Sequence, residues 1–324
     1  MSTLHHRDAH LQSVWTPLTL DESTKAWLEA AAPAWWRGFL VAPLQWLGFN
    51  GPDIDALLGT GRMHVLSAGH CATLLGPYLP HVVPEGGGAA AVGGGAAATA
   101  PKADAHTLSV LDIGAGSGEV TQALASGLQQ AQHVQQATGP REVQVTATDS
   151  SAACVRALNA KGFQGVHCDS IDASDERFAA PGQFHVVACL NVLDRCREPR
   201  ALLWDALRLC ADGGLLVFAL VLPWDDFVEV GGVQQKPAEP LPMGRYRCGD
   251  GPGLEACLGG FLRNVLGVLP GATGDGPLVP QGTLTLRSVS RVPYLAEGDL
   301  FAPMYWLPNA IVVCSKGGKL VDAM

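Results

Sequence analysis

Charge is scarce in this chain. Asp, Glu, Lys and Arg make up 16% of its 324 residues, and 30 acidic side chains outnumber 21 basic ones, for a formal charge of −9. Without a basic field to gather phosphate backbones, nucleic acid is not expected as a partner. Aromatic residues are also few, at 6%, which removes the stacking platforms of single-strand binders. Nine cysteines are present, yet no two form a Cys-x-x-Cys pair. Such scattered thiols exclude a zinc ribbon or a disulfide framework, imply no metal, and suit a reducing, cytoplasmic compartment. Long apolar runs are missing as well. The first twenty residues hold no signal-peptide core. The most membrane-like stretch, 26–49, is broken by Glu29, Pro33, Arg37 and Pro43, so a spanning helix is not expected. Short buried helices are the simpler reading of that stretch; an interfacial membrane contact through Trp35, Trp36 and Trp46 is the alternative.

What the chain holds in excess is glycine, 39 residues, beside 22 prolines. Part of the excess lies in PEGGGAAAVGGGAAATAPKADA (84–105), which lacks the large side chains needed to offset its ordering entropy and reads as a flexible insertion. Before it, 1–20 reads as a mobile tail and 21–83 as a helical segment packing on the domain that follows. That domain spans 106–318, with a short tail at 319–324.

Within 106–318 apolar, β-branched runs alternate with helical patterns, which predicts an α/β, Rossmann-like, doubly wound sheet of seven strands. The strands are expected at 107–113, 142–148, 165–168, 184–190, 214–222, 283–291 and 310–314, and helices at 118–130, 150–161, 199–210 and 253–266. The last two strands are joined too briefly for a helical crossover and should be antiparallel. The Pro-rich stretch 223–251 reads as a long loop beside the strand ends.

LDIGAGSGEV (111–120) places Asp112, Gly114, Gly116 and Gly118 at a strand-to-helix junction, where glycines permit positive φ and helix-terminal amides face a ligand. The spacing is G-x-G-x-G and not the dinucleotide G-x-G-x-x-G. This favours an adenosyl cofactor with a sulfonium amino-acid tail. Asp149, ending the next strand, can accept two ribose hydroxyls or cap the following helix. Asp169 stands where an adenine amine would be met, with Asp172 and Asp175 as neighbouring choices. Asp112 can receive the cofactor's ammonium or brace the turn. Together these residues read as an S-adenosylmethionine pocket.

After the fourth strand comes CLNVLDRC (189–196), in the place where amide and adenine methyltransferases carry Asn-Pro-Pro-aromatic, which is absent here. Asn191 and Asp194 are spaced i, i+3, so on a helical turn both project toward one bound group. A helix cap for Asn191, and an ion pair with Arg195 or Arg197 for Asp194, are the structural alternatives.

LLGTGRMHVLS (57–67), LDIGAGSGEVT (111–121), CLNVLDRC, ALVLPW with FVEVGG and KP (219–237), and RVPYLAEGD (291–299) follow one another in an order that resembles the DREV family of protein histidine methyltransferases. The resemblance runs from about residue 53 to 315, broken by 84–105, by 133–141 and by a divergent stretch at 241–282. It implies a class I S-adenosylmethionine-dependent methyltransferase acting on the pros nitrogen of histidines in His-x-His motifs of proteins or peptides; separately, the chain is expected to be a monomer. Carried over by position, Asn191 and Asp194 would bind the target imidazole and carry catalysis. Gly114, Gly116, Asp149 and Asp169 would line the cofactor site, with Asp112, Gly118 and Asn191 beside them. Tyr294 would stand near both cofactor and substrate, or simply be a buried tyrosine anchoring its strand. The family turn has Asp where this chain has Ser117, and Glu where it has Asp149. A small-molecule methyltransferase and a non-catalytic cofactor-binding module are the competing readings.

Overall fold

The computed structural model describes residues 9–31, 61–79, 107–134, 141–230, 233–243, 253–298 and 304–317, with 43, 46 and 54. The insertion 84–105, the tail 319–324, Trp35 and Trp36 lie outside the described residues. Ten strands are described: β1 (Met63–His64), β2 (Thr107–Ile113), β3 (Glu142–Asp149), β4 (Gln164–His167), β5 (Phe184–Leu190), β6 (Cys210–Val221), β7 (Val228–Val230), β8 (Val233–Gln235), β9 (Leu284–Glu297) and β10 (Met304–Lys316). The helices are α1 (Ala9–Ser13), α2 (Glu22–Ala30), α3 (Ala68–Leu75), α4 (Glu119–Val134), α5 (Ala152–Ala160), α6 (Pro199–Leu209) and α7 (Gly253–Gly260), the last continuing into a π turn at Phe261–Val265.

The main sheet has the order β1-β9-β10-β6-β5-β2-β3-β4. Strands β4, β3, β2, β5 and β6 are parallel, while β10 runs antiparallel to both β6 and β9. This is the expected doubly wound α/β sheet, with the last long strand inserted beside the fifth. Both faces are covered, which is why β6 reads as an unbroken apolar run from Leu215 to Leu220, every residue buried. α3 and α4 supply side chains to the core on one face, and α6 and α7 to the core on the other.

The sheet has an eighth strand that the sequence pattern does not reveal. β1 is only two residues long, too short for a period-two signature, and pairs antiparallel with the end of β9 (Met63 opposite Ala296, His64 opposite Leu295). The stretch 223–251 is also not loop throughout, because β7 and β8 form a small antiparallel hairpin within it.

The expected mobile tail at 1–20 is docked from Ala9 onward. Leu11 is fully buried and Trp15 bridges to Val289 on β9. The Thr16 N–H donates to the Val289 carbonyl at 2.8 Å. An unpaired length of β9 edge supplies these partners, which no local periodicity could announce. Farther on, Asp21 caps α2 by accepting the Thr24 N–H at 2.9 Å, and it also accepts the Ser67 hydroxyl. Ser67 in turn caps α3 through the His70 N–H at 3.0 Å. Burial raises the Asp21 carboxyl, but the hydrogen bonds from Ser67 and Thr24 outweigh it and hold the group down at about 2.

Candidate active site

In an open α/β sheet, ligands settle at the carboxyl ends of the strands where the chain reverses its winding. Here that point lies between β2 and β5, which pair in parallel with Asp112 opposite Ala188. Two turns leave these strands side by side: the glycine turn after β2 and the segment 191–196 after β5.

The three glycines of the first turn all have positive φ, at 67°, 58° and 91° for Gly114, Gly116 and Gly118. Their surroundings differ. A Cβ on Gly114 would lie 2.6 Å from Val192 Cγ2, so this glycine lets the two turns touch. One on Gly118 would lie 2.8 Å from Leu158 Cδ2, so it serves packing against α5. At Gly116 the nearest atom would be Met63 Cε at 3.6 Å. Gly116 is therefore the glycine that faces open space.

Asp149 ends β3 and braces the turn: its Oδ2 accepts the Gly116 N–H at 2.9 Å and its Oδ1 the Ser151 N–H at 2.8 Å. It does not cap α5, since Ser151 holds that position. A carboxylate oxygen can accept more than one hydrogen bond, so bracing the turn is compatible with a role toward a ligand hydroxyl. Asp169 is exposed in the bend after β4. Asp172 and Asp175 are occupied locally, with Ser174 and Arg177 respectively. Among the three, Asp169 is the one left for an adenine amine. Asp112 is buried and accepts the Thr121 hydroxyl at 2.7 Å. Burial pushes its carboxyl up to about 7 against that hydrogen bond, with the nearby Asp149 charge raising it further. A cation placed beside it would restore its charge.

The second turn departs from expectation in form. Asn191 has φ 58° and is the described non-glycine residue in the left-handed region. Arg195 donates its N–H to the Val192 carbonyl at 2.9 Å, closing a tight turn and not a helix, so neither the helical-turn argument nor a helix cap applies. Neither polar atom of the Asn191 side chain, both buried, has a described partner. Asp194 is 3% exposed and pairs with Arg195 at 3.3 Å, as one alternative anticipated. Burial raises its carboxyl, and Arg195 opposes the rise. Arg195 is fixed over the Phe227 ring at 3.8 Å, while the Phe227 N–H donates to the Asp194 carbonyl at 3.0 Å. The loop after β6 thus clamps this turn from outside.

Tyr294 donates its hydroxyl to Met63 Sδ at 2.5 Å, and burial, then the Asp194 charge, pushes it up to about 12. Met63 links Tyr294 to the Gly116 side of the crevice, and β1 is pinned there by Arg62, whose Nε donates to Glu297 at 2.6 Å. Met63, beside Gly116 and Tyr294, and the buried Asn309 are two residues the sequence reading did not single out. Asn309 is fully buried on β10, opposite Val292 and Val221, with neither amide atom partnered among the described residues. A single polar residue opening the run Ala310–Cys314 was the available signal.

Sheet order, glycine turn and acidic strand end together define a class I S-adenosylmethionine-dependent methyltransferase. The family model described as DREV methyltransferase matches residues 95–245 of the chain. S-adenosylmethionine is accordingly its cofactor, and the open face of Gly116 with the bracing Asp149 and the buried Asp112 fits it. Solved structures are similar at lower identity. The trans-methyltransferase CalH in complex with SAH shares 18% identity over 65% of this chain and 51% of that one, with a TM-score of 0.35. A SAM-dependent methyltransferase from Methanosarcina mazei shares 13% over 65% and 93%, also at 0.35. This chain spans about half the length of CalH. No helix among the described residues is long and apolar enough to cross a membrane.

Proposed function

We propose that the enzyme methylates the pros nitrogen of histidine in protein or peptide segments, with two histidines separated by one residue as the preferred motif. The observation that supports this most is the Asn191 turn: a left-handed asparagine with both amide atoms buried and unpartnered among the described residues, three residues before a buried carboxylate. Unpaired buried polar atoms cost roughly 1–3 kcal/mol each, so they persist where a bound group completes them. A neutral imidazole has the complementary needs, one N–H to give and an aromatic edge to be held.

When bound, S-adenosylmethionine supplies the electrophilic methyl group. Asp194 accepts the N–H of the tau nitrogen and thereby fixes the tautomer whose pros lone pair is free to attack. Its negative charge also offsets the imidazolium that develops. Burial raises the Asp194 carboxyl, and the Arg195 charge opposes that rise and favours the ionised form. Asn191 holds the ring in plane, and Tyr294 closes the side toward Met63. No strong base is needed, because histidine with a reference pKa of about 6.5 is mostly neutral at pH 7.

The test is incubation with labelled S-adenosylmethionine and two peptides alike except that one carries His-Ala-His where the other carries only alanines. Label should enter the first alone and sit on the pros nitrogen. Label in neither peptide, with transfer to a small-molecule acceptor, would overturn the proposal.

A further inference from the structure

β10 is paired on both sides from Asn309 to Ser315, but Met304 to Leu307 pair only with β9. The Pro308 carbonyl faces the β6 side, where it accepts the Leu222 N–H at 2.9 Å. Alternation along the strand puts the N–H and C=O of Trp306 on that same side. Among the described residues, no strand receives them. The side chains there are exposed as well: Tyr305 by 44%, Trp306 by 63% and Leu307 by 40%. Exposed edges are usually blunted by lysine, proline or a bulge. Here Pro308 blunts one end, and Met304–Leu307 carries no charge.

This edge adjoins the site. Leu307 stands opposite Tyr294 in the ladder, on the face where Tyr294 meets Met63 and feels the Asp194 charge. Leu222, bonded to Pro308, opens the short segment that ends at Phe227, bonded to Asp194. Those five steps span at most about 17 Å of extended chain.

We propose that the β10 edge that Trp306 presents on the β6 side is the docking strand for the protein substrate. An extended segment adds alongside it by backbone hydrogen bonds, packs its side chains against Tyr305, Trp306 and Leu307, and delivers its histidine to the Asp194 turn. This rests on the reading of the substrate as a histidine-bearing peptide. An added strand turns alternate residues to one face. Two histidines separated by one residue then both face the Leu307–Tyr294 side.

The test uses the full chain with S-adenosylhomocysteine and a fluorescein-labelled peptide of about fifteen residues centred on His-Ala-His, read by anisotropy. Strand addition engages every second peptide N–H. Backbone N-methylation in one alternating phase should therefore weaken binding at least fivefold, and in the other phase far less. Trp306→Ala should weaken it at least threefold and raise KM more than it lowers kcat. No binding, equal effects of the two phases, or an unchanged Trp306→Ala affinity would overturn the docking strand. So would a dimer in sedimentation that Trp306→Ala dissociates, because the edge then serves a second copy. Phase-dependent binding with no methylation of the peptide would keep the docking strand and sink the histidine reading instead.

Discussion

The two turns that meet at the crevice solve one backbone problem in different ways. The glycine turn reaches positive φ with glycines and leaves its amides engaged: Ala115 donates to the Thr148 carbonyl at 2.9 Å and Gly116 to Asp149 at 2.9 Å. The Asn191 turn reaches φ 58° with a side chain attached and leaves both ends of that side chain unpartnered among the described residues. A non-glycine residue in the left-handed region costs roughly 1 kcal/mol or more, and glycine would remove that cost. The first turn is thus closed and shaped to be lain upon. The second holds groups in reserve for whatever reacts there.

The comparison can be broken most sharply at Asp194. Asp194→Asn should leave cofactor affinity within about twofold but lower turnover by a factor on the order of 10² or more, as for other losses of charge aimed at a developing ion. Single-turnover kinetics beside calorimetry would check this, and near-native turnover would remove Asp194 from the mechanism. In the other turn, Gly116→Val should weaken cofactor binding by roughly 30-fold, from left-handed strain and a side chain filling the open face of that turn. Gly118→Ala should spare the cofactor and instead destabilise the fold by about 1–2 kcal/mol, because its Cβ would press on Leu158. If the two glycine variants behaved alike in calorimetry and thermal melts, the division of labour within the turn would be wrong.

Asn191→Gly tests the reserve itself. The substitution relieves the left-handed strain and deletes the two unpartnered atoms, so stability should rise by about 1 kcal/mol. Turnover should fall by roughly tenfold, the value of one lost hydrogen bond to the reacting group. A variant that is more stable and equally active would mean that the asparagine holds nothing.

Legibility followed the length over which a pattern could accumulate. β2 and β5 lie where the apolar runs put them, and the glycine turn was visible because three glycines in five residues have few other uses. β1 and the docking of residues 9–16 were hidden, since their partners lie on β9, more than two hundred residues away. Asn191 and Asp194 were singled out by their position after β5, but through the wrong local geometry: an i, i+3 spacing suits a helix and a tight turn equally, and sequence offers no sign of positive φ at an asparagine. Asn309 did not stand out because one polar residue in an apolar strand has no period to join.

The smallest expected effect concerns protons at Asp112 and separates the turns by pH. Its folded value of about 7 lies above the ordinary 3.8. Between those values the folded state holds a proton that the unfolded chain has released, so stability falls as pH rises through that window. Asp21 acts oppositely and lower down, since its value is depressed to about 2 and its contribution is lost only as pH falls below 3.8. The windows do not overlap, so the slope that Asp112→Asn removes belongs to Asp112 alone. A cofactor ammonium beside Asp112 favours the ionised form. Binding at pH 6 should then expel a proton, and cofactor affinity should climb by up to about tenfold per pH unit until the group is ionised in the free protein. Calorimetry at pH 6 in two buffers of different ionisation heat reads that proton directly. Equal heats in the two buffers would place the ammonium elsewhere, and with it the orientation of the cofactor between the closed turn and the open one.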